Sequence, residues 1–104
     1  MGIDIFKKMV AKSDVVVENF RKGTLERLGI GYEELKKINP KIILCEISGY
    51  GRTGPYANKG GFDLVAQGAS GLMSITGESK EKPPMKVGAP LTDITAGMLG
   101  ATCD

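Results

Sequence analysis

The run GAPLTDITAGM at residues 88–98 sets one carboxylate, Asp93, among small and apolar residues that otherwise suit burial. Two roles suit an acid in that setting. An Asp that follows Pro90, Leu91 and Thr92 and precedes Ile94, Thr95 and Ala96 is placed to cap a helix, its oxygen accepting from first-turn N–H groups. The other role is that of a carboxylate nucleophile, with the helix N-terminus favouring the anion and apolar neighbours keeping water from an acylated intermediate. The two are compatible. Gly88 and Gly97 would let a substrate backbone or thioester come close.

A second group with chemistry in it is ENFRKG at residues 18–23. The Asn19 amide can bond a base edge or another amide, the Phe20 ring can stack on a flat group, and an Arg can pair with phosphate. Together these would hold a nucleotide-like ligand. The same residues also suit a polar loop with one core Phe, and Arg21, Lys22 and Arg27 also suit a solvated face. Residues 49–54, GYGRTG, spell G-x-G-x-x-G after an expected strand, but the pattern binds a pyrophosphate only where it opens a helix. Pro55 and the pair Gly60 and Gly61 leave no room for one, and no acidic strand end follows about 20 residues on. A tight glycine-ordered loop is expected instead.

The chain has no histidine, which removes Ser/His and Cys/His nucleophiles and the commonest zinc ligand. Cys45 and Cys103 stand far apart and form no C-x-x-C pattern, so no disulfide framework is expected. Neither a G-K-[ST] phosphate loop nor a calcium-loop pattern occurs, and no metal is expected. What chemistry there is must run on carboxylates, lysines, hydroxyls or backbone dipoles.

These groups need elements to place them. Ile3, Phe6 and Val10 at i, i+3 and i+7 predict that the chain opens on an amphipathic helix, with Asp4 and Lys8 paired on another face. Residues 15–17, all Val, predict a parallel strand buried on both faces. A short helical turn at 25–28 follows, then a helix from Tyr32 with Tyr32, Leu35 and Ile38 along one face, stopped by Asn39 and Pro40. Residues 42–47 predict a second strand. Strand, helix, strand over about 30 residues is a βαβ unit, hence an α/β sheet flanked by helices. Residues 48–61 read as loop, 62–73 as a helix with Leu64, Val65, Gly68 and Leu72 inward, 77–84 as an exposed loop, and the stretch after Pro90 as a last helix.

A length of 104 residues bounds this to one domain, over 1–104, with a single core. Lys and Arg number 14 against 12 acidic residues, mixed along the chain, which argues against a nucleic-acid partner. No apolar run approaches the roughly 20 residues of a membrane span, and no signal-peptide pattern opens the chain, so no membrane partner and a cytoplasmic location are expected. No strand precedes the first helix, which is unusual for an α/β domain and points to a fragment.

Four stretches in fixed order, DVVVENFRKGTLERLG, SGYGRTGPY, GFDLVAQGASGLM and PLTDITAGM, resemble the family III CoA-transferases (the CaiB/BaiF family), whose relatives include formyl-CoA transferase and the alpha-methylacyl-CoA racemases. The resemblance runs over nearly the whole chain. It implies an incomplete Rossmann-like parallel sheet, coenzyme A as acyl-CoA substrate, a carboxylic acid acceptor, and a homodimer in the full-length protein. The family nucleophile falls on Asp93, which would attack the acyl-CoA carbonyl to give an aspartyl-acyl anhydride and then an aspartyl-CoA thioester. Family contacts fall on Asn19, Phe20 and Arg27 for the nucleotide end of CoA, and on Gly60, Gly61 and Phe62 for the pantetheine arm and thioester, with Asp63 beside them. Racemases of the family place His where this chain has Phe62, and a phenyl ring exchanges no proton. The resemblance therefore implies transfer rather than racemisation of a 2-methylacyl-CoA. Family members are several times longer, so the expectation is a partial CoA-binding domain that is inactive alone, or at the other extreme a remnant that only binds CoA or a partner.

Overall fold

The computed structural model describes residues 1–103. Helix α1 (Gly2–Val10) carries Asp4 in its first turn and Lys7 and Lys8 in its last, each sign placed against the matching end of the helix dipole. The chain turns at Ser13, whose hydroxyl donates to the Met9 carbonyl at 2.8 Å, and passes into β1 (Val15–Glu18). A single helical turn α2 (Thr24–Arg27) and helix α3 (Tyr32–Ile38) lead to β2 (Ile43–Glu46). Asn39 ends α3 and donates through Nδ2 to the Val10 and Ser13 carbonyls at 3.2 and 2.8 Å, tying the end of α3 to the end of α1.

The strands pair in parallel, with Val15 opposite Ile43, Val16 opposite Leu44, Val17 opposite Cys45 and Glu18 opposite Glu46. Strand, helices and parallel strand form the expected βαβ unit. Val10, Leu25, Ile30, Leu35 and Ile42 make the buried core, and Phe6, Val16, Ile38 and Leu44 pack against it. Because side chains alternate along a strand, Val16 and Leu44 face this core while Val15, Val17, Ile43 and Cys45 face the other way.

That second face is mostly bare. Val17 keeps 61% of its surface and Ile43 43%, so burial of the strand on both faces, as its all-Val sequence predicts, is not met among the described residues. The extents of 56 × 26 × 24 Å and a radius of gyration of 17.3 Å describe a drawn-out chain, where a compact one of this length has about 13 Å.

Past β2, a loop over 47–62 precedes α4 (Asp63–Ala69). Gly71, at a left-handed φ of 84°, stops the helix earlier than its apolar spacing predicts, and a short 3-10 turn (Leu72–Ile75) follows. The inward face is also not the expected one: Leu64 and Val65 are exposed and Gln67 is the residue withdrawn from solvent. The last helix, α5 (Leu91–Cys103), packs against α4 and buries none of its own residues. Gly100 brings it onto the sheet, where a Cβ would stand 3.2 Å from Cys45 Sγ and 3.6 Å from Ile47 Cδ1.

Candidate functional site

In an open parallel sheet, ligands bind in the crevice beyond the carboxyl ends of the strands. There, the segments leaving β1 and β2 meet the starts of α4 and α5 around a cavity of about 710 Å³. Of the residues singled out from sequence, Asn19, Phe20, Arg27, Gly60, Gly61, Phe62 and Asp93 all line it. Asp63 does not; it lies behind the wall.

Three contacts shape the β1 side. Asn19 Nδ2 donates to the Ile47 carbonyl at 2.6 Å, joining the exits of both strands. The Phe20 N–H donates to Glu18 Oε2 at 2.8 Å, and the Phe20 ring stays largely exposed to the cavity. Lys22 Nζ donates to the Arg52 carbonyl at 2.9 Å, so one cavity lysine also anchors the opposite loop.

That loop is tight and contains no helix, as the sequence predicts for G-x-G-x-x-G in this context. Gly51 and Gly54 take φ of 76° and 93°, and the Gly51 N–H donates to Ser48 Oγ at 3.0 Å. The backbones of Gly49 and Gly61 touch: a Cβ on Gly61 would lie 2.4 Å from Gly49 Cα, and one on Gly49 2.6 Å from Gly61 Cα. The two ends of the loop are thereby closed on each other. Arg52 pins its outer side by pairing with Glu26 and, at 3.1 Å, with Glu46. Burial pushes the Glu46 carboxyl above its ordinary range, with the Arg52 guanidinium opposing.

Four cations, Arg21, Lys22, Arg27 and Lys59, line the cavity with the single carboxylate of Asp93. The field there suits a polyanion. Phe20 and Phe62 add apolar wall, and Lys59 Nζ lies 4.0 Å from the centre of the Tyr56 ring.

Asp93 stands in the first turn of α5 and its side chain is exposed at the wall. It is not the cap. Asp63, 30 residues earlier on α4, caps α5 instead. Its Oδ1 accepts from the Thr92 N–H at 2.8 Å, from the Thr92 hydroxyl and from the Asp93 N–H at 3.3 Å. Its other oxygen, Oδ2, accepts from Gln67 Nε2 at 2.6 Å. The carboxylate of Asp93 itself accepts no hydrogen bond among the described residues. Of the two roles open to it from sequence, capping is therefore excluded by the fold. Gly88 and Gly97, expected to admit a substrate, are not part of the cavity wall.

The hydroxyl of Thr92, helped by Gln67 and the amides of Asp93 and Thr92, holds the Asp63 carboxyl below its ordinary value. A carboxylate whose folded pKa lies below its unfolded one stabilises the fold at pH above the unfolded pKa and loses that contribution as pH falls through the folded one. Replacing Asp63 by Asn is expected to lower the urea midpoint near pH 5 to 7, with the difference from the native chain shrinking as the pH is taken below about 3.8. Urea unfolding of both proteins across that range checks it; a pH-independent difference would show that the ionised carboxylate is not what secures α5.

Gln67, Arg52, Lys59 and the capping role of Asp63 do not stand out in the sequence. Arg52 lies inside the glycine motif, yet one of its ion pairs reaches Glu26, 26 positions back, which no local pattern signals.

The match of a family model, CoA-transferase family III, runs over residues 1–103. An acyl-CoA transferase of Fusarium pseudograminearum is 48% identical over 97 residues, 93% of this chain and 21% of that protein. The succinate–glutarate CoA-transferase of Agrobacterium fabrum is 46% identical over 97 residues, 93% of this chain and 24% of that one. Among solved structures, a CAIB/BAIF family protein from Brucella suis superposes with a TM-score of 0.87 at 40% identity, covering 97% of this chain and 28% of that one. The chain thus spans about a fifth to a quarter of the length of the relatives it matches.

Proposed function

The chain belongs to CoA-transferase family III, and from that premise we propose that the full-length protein moves CoA between an acyl-CoA and a carboxylic acid, with Asp93 as nucleophile. The observation that carries this is the cavity itself. It gathers Asp93 with Asn19, Phe20, Arg27 and Gly60 to Phe62, while the capping role that would have occupied a carboxylate there falls to Asp63.

An Asp93 oxygen adds to the thioester carbonyl, the C–S bond of the adduct breaks, and CoA leaves as thiolate, which yields a mixed anhydride on Asp93. The thiolate then adds to the Asp93 side-chain carbonyl and releases the donor acid, leaving an aspartyl-CoA thioester. An acceptor carboxylate expels the thiolate to form a second anhydride. Attack by the thiolate on the acceptor's carbonyl yields the new acyl-CoA and restores the Asp93 carboxylate. No net proton is gained or lost. The cations at the β1 exit hold the phosphates of CoA by charge and the Phe20 ring offers a face to its base, while Gly60 and Gly61 present a wall without side chains to the pantetheine arm. Phe62, 68% exposed at that wall, offers no proton to an α-carbon, which favours transfer over racemisation.

The 104-residue chain alone leaves Asp93 open to solvent, so water would reach an anhydride formed there. Activity is accordingly assigned to the full-length protein, acting as a cytoplasmic homodimer, with the chain alone inactive.

The test is trapping. Full-length protein incubated with acyl-CoA and hydroxylamine, then digested and mapped by mass, is expected to carry a hydroxamate on the peptide containing Asp93. Turnover with that peptide unmodified would overturn the reading.

A further inference from the structure

Gln67 is the polar side chain wholly withdrawn from solvent among the described residues, and it has no place in the chemistry above. Burying an amide is costly unless both its ends are bonded. Both are. Nε2 donates to Asp63 Oδ2 at 2.6 Å, and Oε1 accepts from the Val87 N–H at 2.8 Å.

Those partners lie on different segments. Asp63 opens α4 and holds the first turn of α5 through Thr92 and the Asp93 N–H. Val87 lies on the strap that leads into α5, in no helix or strand, and its N–H is held by this bond, while two residues earlier the Met85 N–H donates to the Thr76 carbonyl at 3.3 Å. Gln67 thus links the strap before Asp93 to the carboxylate that secures the turn bearing it. A shift of either would turn Asp93 away from the cavity.

We infer that Gln67 is a positioning residue for the transfer reaction: by orienting Asp63 and fastening Val87 it sets the direction in which the Asp93 carboxylate meets the acyl group. It rests on the reading of Asp93 as nucleophile. Gln67 does not touch the cavity, so its loss acts on the chemical step and spares substrate binding.

The substitution Gln67→Glu discriminates. Glu keeps the acceptor for the Val87 N–H but exchanges the amide donor for an oxygen, which can donate to Asp63 only when protonated. At the junction the titratable groups are Asp63 on α4 and Asp93 on α5; Lys86 on the strap has its Nζ turned to the Gly88 carbonyl at 3.5 Å. In the full-length protein at pH 8 the variant is expected to lose about 10²-fold in kcat with KM for acyl-CoA within about twofold, the scale of a misplaced reacting group. The ratio of variant to native kcat is expected to rise as pH is lowered from 8 towards 5.5 and the new Glu takes up a proton. A variant that follows the native pH profile in parallel, or loses affinity instead of kcat, overturns the inference. Should Gln67→Glu fail to fold, Gln67→Met keeps the volume and deletes both bonds; the same fall in kcat at unchanged KM is expected, and native kcat would overturn the inference. Hydroxylamine trapping on the native protein separates the two claims. A hydroxamate on Asp93 together with indifferent Gln67 variants refutes the positioning role alone, whereas an unmodified Asp93 refutes the nucleophile.

Discussion

Asp93→Ala in the full-length protein is expected to lower kcat by on the order of 10⁴ to 10⁶-fold, the range seen when a covalent nucleophile is removed. Affinity for acyl-CoA is expected to stay within a few fold, because the groups proposed to hold CoA lie on other segments, at the exits of β1 and β2. Asn in place of Asp separates charge from shape. It matches the carboxylate in size, but an amide nitrogen cannot form an anhydride, so Asn is expected to be as inactive as Ala. Fold stability is expected to change little, since the cap of α5 belongs to Asp63 and the Asp93 carboxylate accepts no hydrogen bond among the described residues. Steady-state kinetics, CoA binding by calorimetry and urea unfolding on the three proteins read these out. Normal turnover by the Ala variant would remove the basis of the mechanism, and a large loss of stability would mean that Asp93 holds structure.

Gly61→Ala is the second large effect, and it works through geometry alone. The added methyl would stand 2.4 Å from Gly49 Cα, a distance no non-bonded carbon pair adopts, and its neighbour is backbone and cannot rotate away. The loop over 47–62 must open. Overpacking of this kind costs about 1–3 kcal/mol and at times more. The catalytic cost is expected to be larger: Gly60, Gly61 and Phe62 form one wall of the cavity, and a shift near 1 Å there is worth about 10² in kcat/KM. Gly49→Ala, blocked from the other side at 2.6 Å, is expected to give the same pair of losses. For contrast, Gly97 lies inside α5 with nothing within 4 Å of its missing Cβ, and Ala there is expected to leave stability unchanged or raise it by about 0.5–1 kcal/mol. Thermal and urea unfolding with kcat/KM for acyl-CoA measure the set. Equal behaviour of the Gly61 and Gly97 variants would show that the contact with Gly49 is not tight.

The local order of the fold is legible because it rests on local spacing. Phe6 and Val10, Leu35 and Ile38, and the β-branched runs at 15–17 and 42–43 carry their periods within a turn or a strand, and the parallel pairing follows from the helix between them. The glycine motif reads correctly as a loop, since a helix after Gly54 has no residues to run on. Sequence and structure part where a distant partner decides. The N-terminus of α5 takes its cap from a residue 30 positions away, so in sequence Asp93 resembles the cap and Asp63 a ligand contact. On α4 the apolar spacing points Leu64 and Val65 inward, but the helix withdraws Gln67 instead, whose amide bonds the Asp63 carboxylate of its own first turn and takes the strap N–H of Val87. Val17 and Ile43 carry the sequence of a strand covered on both sides, and cover for the second side is not found among the described residues. Asp93 stands out because a carboxylate in an apolar run is conspicuous. Arg52 and Gln67 do not, because a polar residue in a polar or mixed stretch carries no signal until its partner is known.

Helix α5 buries no side chain, and that has a bearing on how the Asp93 carboxylate is aimed. Apolar contact is indifferent to direction, so a helix wedged by greasy residues can roll about its long axis at small expense. Hydrogen bonds weaken steeply with angle. Secured at its first turn by a carboxylate, α5 has its rotational phase dictated there, and position 93 owes its heading to that grip more than to packing.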